Sequence, residues 1–192
     1  MTTVDDIELF FRSPQNFIAP PQRYSTLHLL RRDAAQCLGI DPNSGKPSSF
    51  QLLWPGAMTL FAGMDLLGKF YAGSDAQSGV TERFRCFVDD FFQGLQAGES
   101  EIIYQLRNSL MHSFGLFSVL RNGATYRFLL TANGGAQLVR QAPNNQLQID
   151  LRVLYDSFER AVAEYKNKIE GDRVLVGRFE GMFQKYGSVY VG

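Results

Sequence analysis

Two hydrophobic rhythms divide the chain. From Ser25 to about residue 118, apolar residues recur every three or four positions, the spacing of helices with one buried face. "STLHLLRRDAAQCLGI" (25–40) carries Leu27, Leu30, Ala34, Cys37 and Leu38 at that spacing, with Ser25 placed as an N-cap. A second helix is predicted from Phe50 to Tyr71, where Ala57, Ala62, Gly63 and Gly68 permit close contact with neighbours. After the loop "AGSDAQSG", Phe84, Phe87, Val88 and Phe91 fall at i, i+3, i+4 and i+7 and predict a helix over about 80–96. "QAGES" then offers Ser100 as the N-cap of a helix over 101–118, with Ile103, Leu106, Leu110, Phe114 and Phe117 as its core stripe. Between 122 and 151 the rhythm changes. Tyr126, Phe128 and Leu130 alternate, "ANGG" is a hairpin signal, and "QLQIDL" alternates again after "PNN". Two or three short antiparallel strands fit. Helical spacing returns over 152–169 and 172–186.

Residues 1–23 hold a short apolar piece, "IELFF", and the breaker cluster "APPQ", and read as an N-terminal arm with one helical turn. The expected architecture is mainly α and a single domain over 1–192. Core helices fill 24–118, a small antiparallel β-meander (122–151) is inserted before the C-terminal helices (152–186), and no strand is expected elsewhere. A chain of 192 residues can bury one sizeable core, and its sixteen phenylalanines suit a large aromatic core, an interface, or both.

Charge and cysteine content narrow the classes. Nineteen basic residues balance nineteen acidic ones, which argues against a protein wrapped in nucleic acid but leaves room for a local phosphate grip. Cys37 and Cys86 form no CxxC, and with only two histidines a structural zinc site is not expected, nor any cofactor. Free thiols behind the acidic start "MTTVDDIELFFRS", which lacks the order of a secretion signal, predict a reducing, cytoplasmic setting. The longest uncharged stretch, Phe50 to Met64, falls short of the ~18–20 residues of a membrane helix, so no membrane partner is expected. "GIDPNSGKP" (39–47) imitates a phosphate loop, but its glycine spacing is wrong and Pro47 replaces the needed hydroxyl.

One stretch carries candidate chemistry. On the 101–118 helix, Tyr104, Asn108 and His112 recur at steps of four beside the apolar stripe, with Arg107 and Met111 on the flank between them. These polar residues border the buried face, the place for a cleft or a subunit contact. Arginine offers a planar fork of donors that matches phosphate oxygens. Histidine exchanges protons near neutrality, and asparagine can orient it. Together Arg107, His112 and Asn108 would suit metal-free cleavage of RNA, with Tyr104 beside Arg107 to bind substrate. Arg107 and His112 point ~140° apart on a helical wheel, ~7.5 Å along the axis, so one helix is not expected to aim both at one atom. A two-fold dimer would gather two of each in one cleft, with Met111, Phe114 and Phe117 in the interface. Arg121, Arg127, Arg140 and Arg152 are further cations for a groove beside the helix. A binding module without cleavage, or a purely structural role across an interface, remains open on the same residues.

"YQLRNSLMHSF" resembles the signature of the HEPN superfamily (higher eukaryotes and prokaryotes nucleotide-binding domains), an Arg followed after four to six residues by His. Arg107, the polar Asn108 and His112 match that pattern, and "GAMTLFAGMDLLGKFY" and "FRCFVDDFFQGL" resemble the helices that precede it in such bundles. The resemblance covers about 50–118 and leaves the meander and C-terminal helices as an elaboration. It implies an all-α bundle, commonly dimeric. Many such proteins are metal-independent endoribonucleases of toxin–antitoxin and defence systems, paired with an antitoxin-like partner; others only bind RNA or nucleotides.

Overall fold

The computed structural model describes residues 3–14 and 23–190, and the expected "APPQ" breaker at 19–22 lies outside them. In chain order the elements are α1 (Thr3–Phe10), β1 (Arg23–Ser25), α2 (Thr26–Cys37), α3 (Leu53–Ala72), α4 (Val80–Phe91), α5 (Glu99–Ser113), β2 (Phe117–Val119), β3 (Thr125–Thr131), β4 (Val139–Ala142), β5 (Gln146–Asp150), α6 (Leu151–Gly171), α7 (Arg173–Tyr186) and β6 (Ser188–Tyr190). The fold is mainly α, and no helix among the described residues is long and apolar enough to cross a membrane.

Helix α3 is the axis of the bundle, and α2, α4, α5, α6 and α7 all pack against it. Its small residues make this approach close. A Cβ at Gly63 would stand 2.7 Å from the Phe158 ring of α6, and one at Gly68 would stand 3.0 Å from the Arg83 carbonyl oxygen of α4. Pro55 is tolerated in the first turn, where a missing N–H breaks no helical bond, so the helix starts at Leu53 and not at Phe50. Ser25 caps α2 as expected, its hydroxyl accepting from the His28 N–H at 3.0 Å.

The first correction concerns the arm. Residues 3–10 form a helix, and Phe10 is fully buried, stacked on Phe70 with centroids 4.4 Å apart and edge-on to Phe179 at 5.4 Å. Each such side chain contributes roughly 1.5–3 kcal/mol by leaving water, so α1 belongs to the core. Strands also occur outside the expected segment: β1 pairs antiparallel with β6, Arg23 opposite Tyr190.

The second correction concerns the meander. The sheet order is β2-β3-β5-β4, and β3 runs parallel to β5. "ANGG" does not close a hairpin. The N–H groups of Gly134 and Gly135 donate to the Asp150 carboxylate, and the chain passes over to place β4 on the far side of β5. The hairpin turn is instead at Pro143–Asn145, where Asn144 and Asn145 take φ of 61° and 57°, a left-handed conformation asparagine accepts more readily than most residues.

Candidate functional site at the C-terminal end of α5

Helix α5 starts at Glu99 behind Gly98, whose φ is 89°, and not behind a Ser100 cap. Glu99 and Glu101 in its first turn suit the positive end of the helix dipole. Ile103, Leu106 and Leu110 are fully buried as predicted. The helix then stops five residues early. Phe114 adopts φ 46°, ψ 41°, and the Gly115 N–H turns back to the Ser109 carbonyl at 3.0 Å. The chain leaves as strand β2, so Phe114 and Phe117 are not core residues: they are 69% and 46% exposed. Ending there also frees His112, in the last helical turn, to face solvent.

Arg107 is buried, and every nitrogen of its guanidinium has a partner. Nε and Nη2 donate to Oδ2 of Asp65 on α3, at 3.0 and 2.7 Å. Nη1 donates to Oδ1 of Asn108 at 3.0 Å and meets Nε2 of His112 at 2.9 Å. Because a guanidinium can only donate, this contact requires Nε2 to be the unprotonated, accepting nitrogen of the ring. The expectation that one helix could not bring Arg107 and His112 together is therefore wrong. Wheel angles track Cβ directions, whereas the long arginine side chain reaches along the axis to the last turn.

Asn108 and His112 line an open groove of about 830 Å³ with Tyr104, Phe117, Ser118 and Arg121. The Tyr104 hydroxyl hydrogen-bonds Thr81 Oγ1, and its ring lies 4.8 Å under the Arg85 guanidinium, which itself pairs with Glu101. Ser118 donates to Gln105 Oε1 at 2.7 Å, tying β2 to α5 along the groove floor. Met111 is half-buried against the core. Of the further arginines, only Arg121 lines this groove; Arg152 pairs with Asp156 at 3.4 Å. The imitation phosphate loop is built around an acid: Asp41 accepts the Asn43 and Ser44 N–H groups at 2.9 and 2.8 Å, donors a phosphate would need.

Asp65 was not singled out from the sequence, although a signal existed. It is the first charge after the long apolar run of α3, and a lone acid on such a helix calls for a cation. The other histidine, His28, is buried on α2. Its Nδ1 lies 3.3 Å from the Arg12 carbonyl, and burial, aided by the charges of Arg31, Arg32 and Arg12, lowers its pKa. The chain matches no family model, no curated protein and no solved structure.

Proposed function

We propose that the protein is a metal-independent endoribonuclease in which Arg107 and His112 carry the chemistry and Asn108 orients them. The observation that supports this most is the single Arg107 nitrogen held between Asn108 and His112, two residues that line an open groove. When an RNA phosphate enters, Nη1 shifts its hydrogen bond from the imidazole to a phosphate oxygen and stabilises the charge that develops there. Nε2 of His112, now free, takes the proton of the ribose 2′-hydroxyl. O2′ bonds to phosphorus as the P–O5′ bond breaks, and the leaving 5′-oxygen accepts a proton from the second imidazole of a dimer, which enters the step protonated and released from its arginine. The products are a 2′,3′-cyclic phosphate and a 5′-hydroxyl.

The resemblance of "YQLRNSLMHSF" to the HEPN signature supports the same reading and with it a HEPN-like bundle, a cytoplasmic setting and an antitoxin-like partner. A homodimer is supported by the exposed Phe114 beside the groove, with Met111 behind it. Tyr104 would contact the substrate. One observation favours a binding module instead: Arg107 is buried and doubly bound to Asp65, which restrains it from following a moving phosphate.

The test is cleavage of single-stranded RNA in the presence of a chelator. Wild-type protein should cut RNA and leave the matching DNA intact, since only RNA has the 2′-hydroxyl. His112→Ala should lose roughly 10²–10⁴-fold in rate with an unchanged melting temperature. Equal cutting by both proteins would move the assignment to the binding module.

A further inference from the structure

The acids of this chain are not evenly spread. Residues 102–149 contain four arginines, no lysine and no Asp or Glu, leaving fifteen bases against nineteen acids for the rest. That interval spans most of α5 and nearly all of the four-stranded sheet. Arg107 answers Asp65, but no carboxylate lies within ion-pair distance of Arg121, Arg127 or Arg140 among the described residues. Asp150, at the end of β5 just past this interval, has its oxygens filled by the N–H groups of Gly134, Gly135, Arg152 and Val153. A neutral protein thus carries one acid-free, arginine-bearing stretch.

A second depression of about 470 Å³ opens on this sheet where β3 and β5 begin and β4 ends. Arg127, Tyr126, Gln141, Asn144 and Asn145 line it. Three side-chain amides in one small pocket can pair with the edge of an unpaired base, each giving both a donor and an acceptor. The left-handed turn at Asn144 and Asn145 sets two of them side by side. Arg127 joins this pocket to the α5 groove. It sits opposite Phe117 in the β2–β3 register, its guanidinium 5.7 Å over the Phe117 ring, and Phe117 lines the groove of His112.

We propose that the amide-lined pocket is a base-recognition subsite for single-stranded RNA, with Arg127 gripping the phosphate between that base and the His112 groove. The choice of RNA rests on the ribonuclease reading above; the pocket and the charge pattern do not. The strand would pass from Arg121 and His112 over the Phe117–Arg127 plate to Gln141.

The test uses the 192-residue chain carrying His112→Ala, chosen to suppress RNA cutting during the measurement, and fluorescent homopolymeric oligoribonucleotides of A, C and U. One homopolymer should bind about fivefold or more tighter than the others, the low end of discrimination by an amide–base contact. Gln141→Ala and Gln141→Glu, both at an exposed position, should bring the three within about twofold. Arg127→Ala should weaken all three alike and reduce the slope of log affinity against log salt by about 0.7, one phosphate contact on a single strand. Arg160→Ala on α6 should change neither. Equal affinities in the parent, a preference that survives both Gln141 variants, or an unchanged salt slope each overturns the subsite. His112-dependent cleavage with no base preference would leave the ribonuclease standing and remove the pocket. A Gln141-dependent preference in a protein that never cuts would do the reverse.

Discussion

The described residues include two buried arginines, each near one of the two histidines, and they are used in opposite ways. Arg31 on α2 grips both oxygens of Glu159 on α6 and donates its remaining nitrogen to the carbonyls of Phe11 and Arg12, at 3.2 and 3.1 Å. All its partners are structural, and His28 beside it is buried. Arg107 is anchored as firmly by Asp65, but its last nitrogen goes to Asn108 and to a histidine facing an open groove. The two centres share chemistry and burial. They differ in whether one donor can be handed to something arriving from outside.

That contrast can be broken from either side. Arg107→Lys should produce the largest effect, a loss of roughly 10²–10³-fold in RNA cleavage, because a point charge cannot serve Asp65 and the phosphate as a fork does. Its urea-denaturation stability should change by about 1 kcal/mol or less, since a cation still faces Asp65. Arg31→Met should reverse the pattern. Glu159 would lose its partner at a cost of about 2–3 kcal/mol in the same denaturation experiment, below the ~3–5 kcal/mol of a fully buried pair because Glu159 keeps some contact with water. Cleavage per folded molecule should be unchanged.

Asp65→Asn sharpens the comparison. The amide still accepts one hydrogen bond but leaves the buried guanidinium without a counter-charge, for about 1–2 kcal/mol of stability. Its cleavage rate should fall more than tenfold as the fork loses its bearing, read in a single-turnover assay. The smallest effect is a pH dependence at the Arg31 centre. Burial lowers the His28 pKa from its ordinary 6.5, so the unfolded chain takes up a proton at higher pH than the folded one. The stability from neutral His28 is full above about pH 6.5 and is lost as pH falls toward the lowered folded value. His28→Gln should flatten melting temperature against pH over that window.

Local signals in this sequence were legible, and pairings across distance were not. Periodicity located α2, α3, α4, α6 and α7, and Ser25 marked its cap, because burial on one helix face and capping are decided within a few residues. Arg107, Asn108 and His112 were legible for the same reason. The end of α5 was misplaced because Phe114 and Phe117 continue the helical spacing by coincidence, while Gly115, the true signal, sits one residue past the turn. Asp65 lies 42 residues from Arg107, so only the need of a lone acid for a partner could have suggested the pair. The parallel β3–β5 pairing was hidden because "ANGG" serves a carboxylate and not a hairpin.

Asp150 therefore joins what the chain keeps separate. One carboxylate holds the first turn of α6 through Arg152 and Val153 and the crossover loop through Gly134 and Gly135. Neither set of amides can be exposed without giving up the acceptor that the other also uses. Opening of the sheet should then be cooperative with fraying of α6, so that these four amides exchange with deuterium as one unit with a common free energy. The four-stranded sheet would in that case be mechanically continuous with the aromatic core, and a strand drawn across it would pull on the bundle itself.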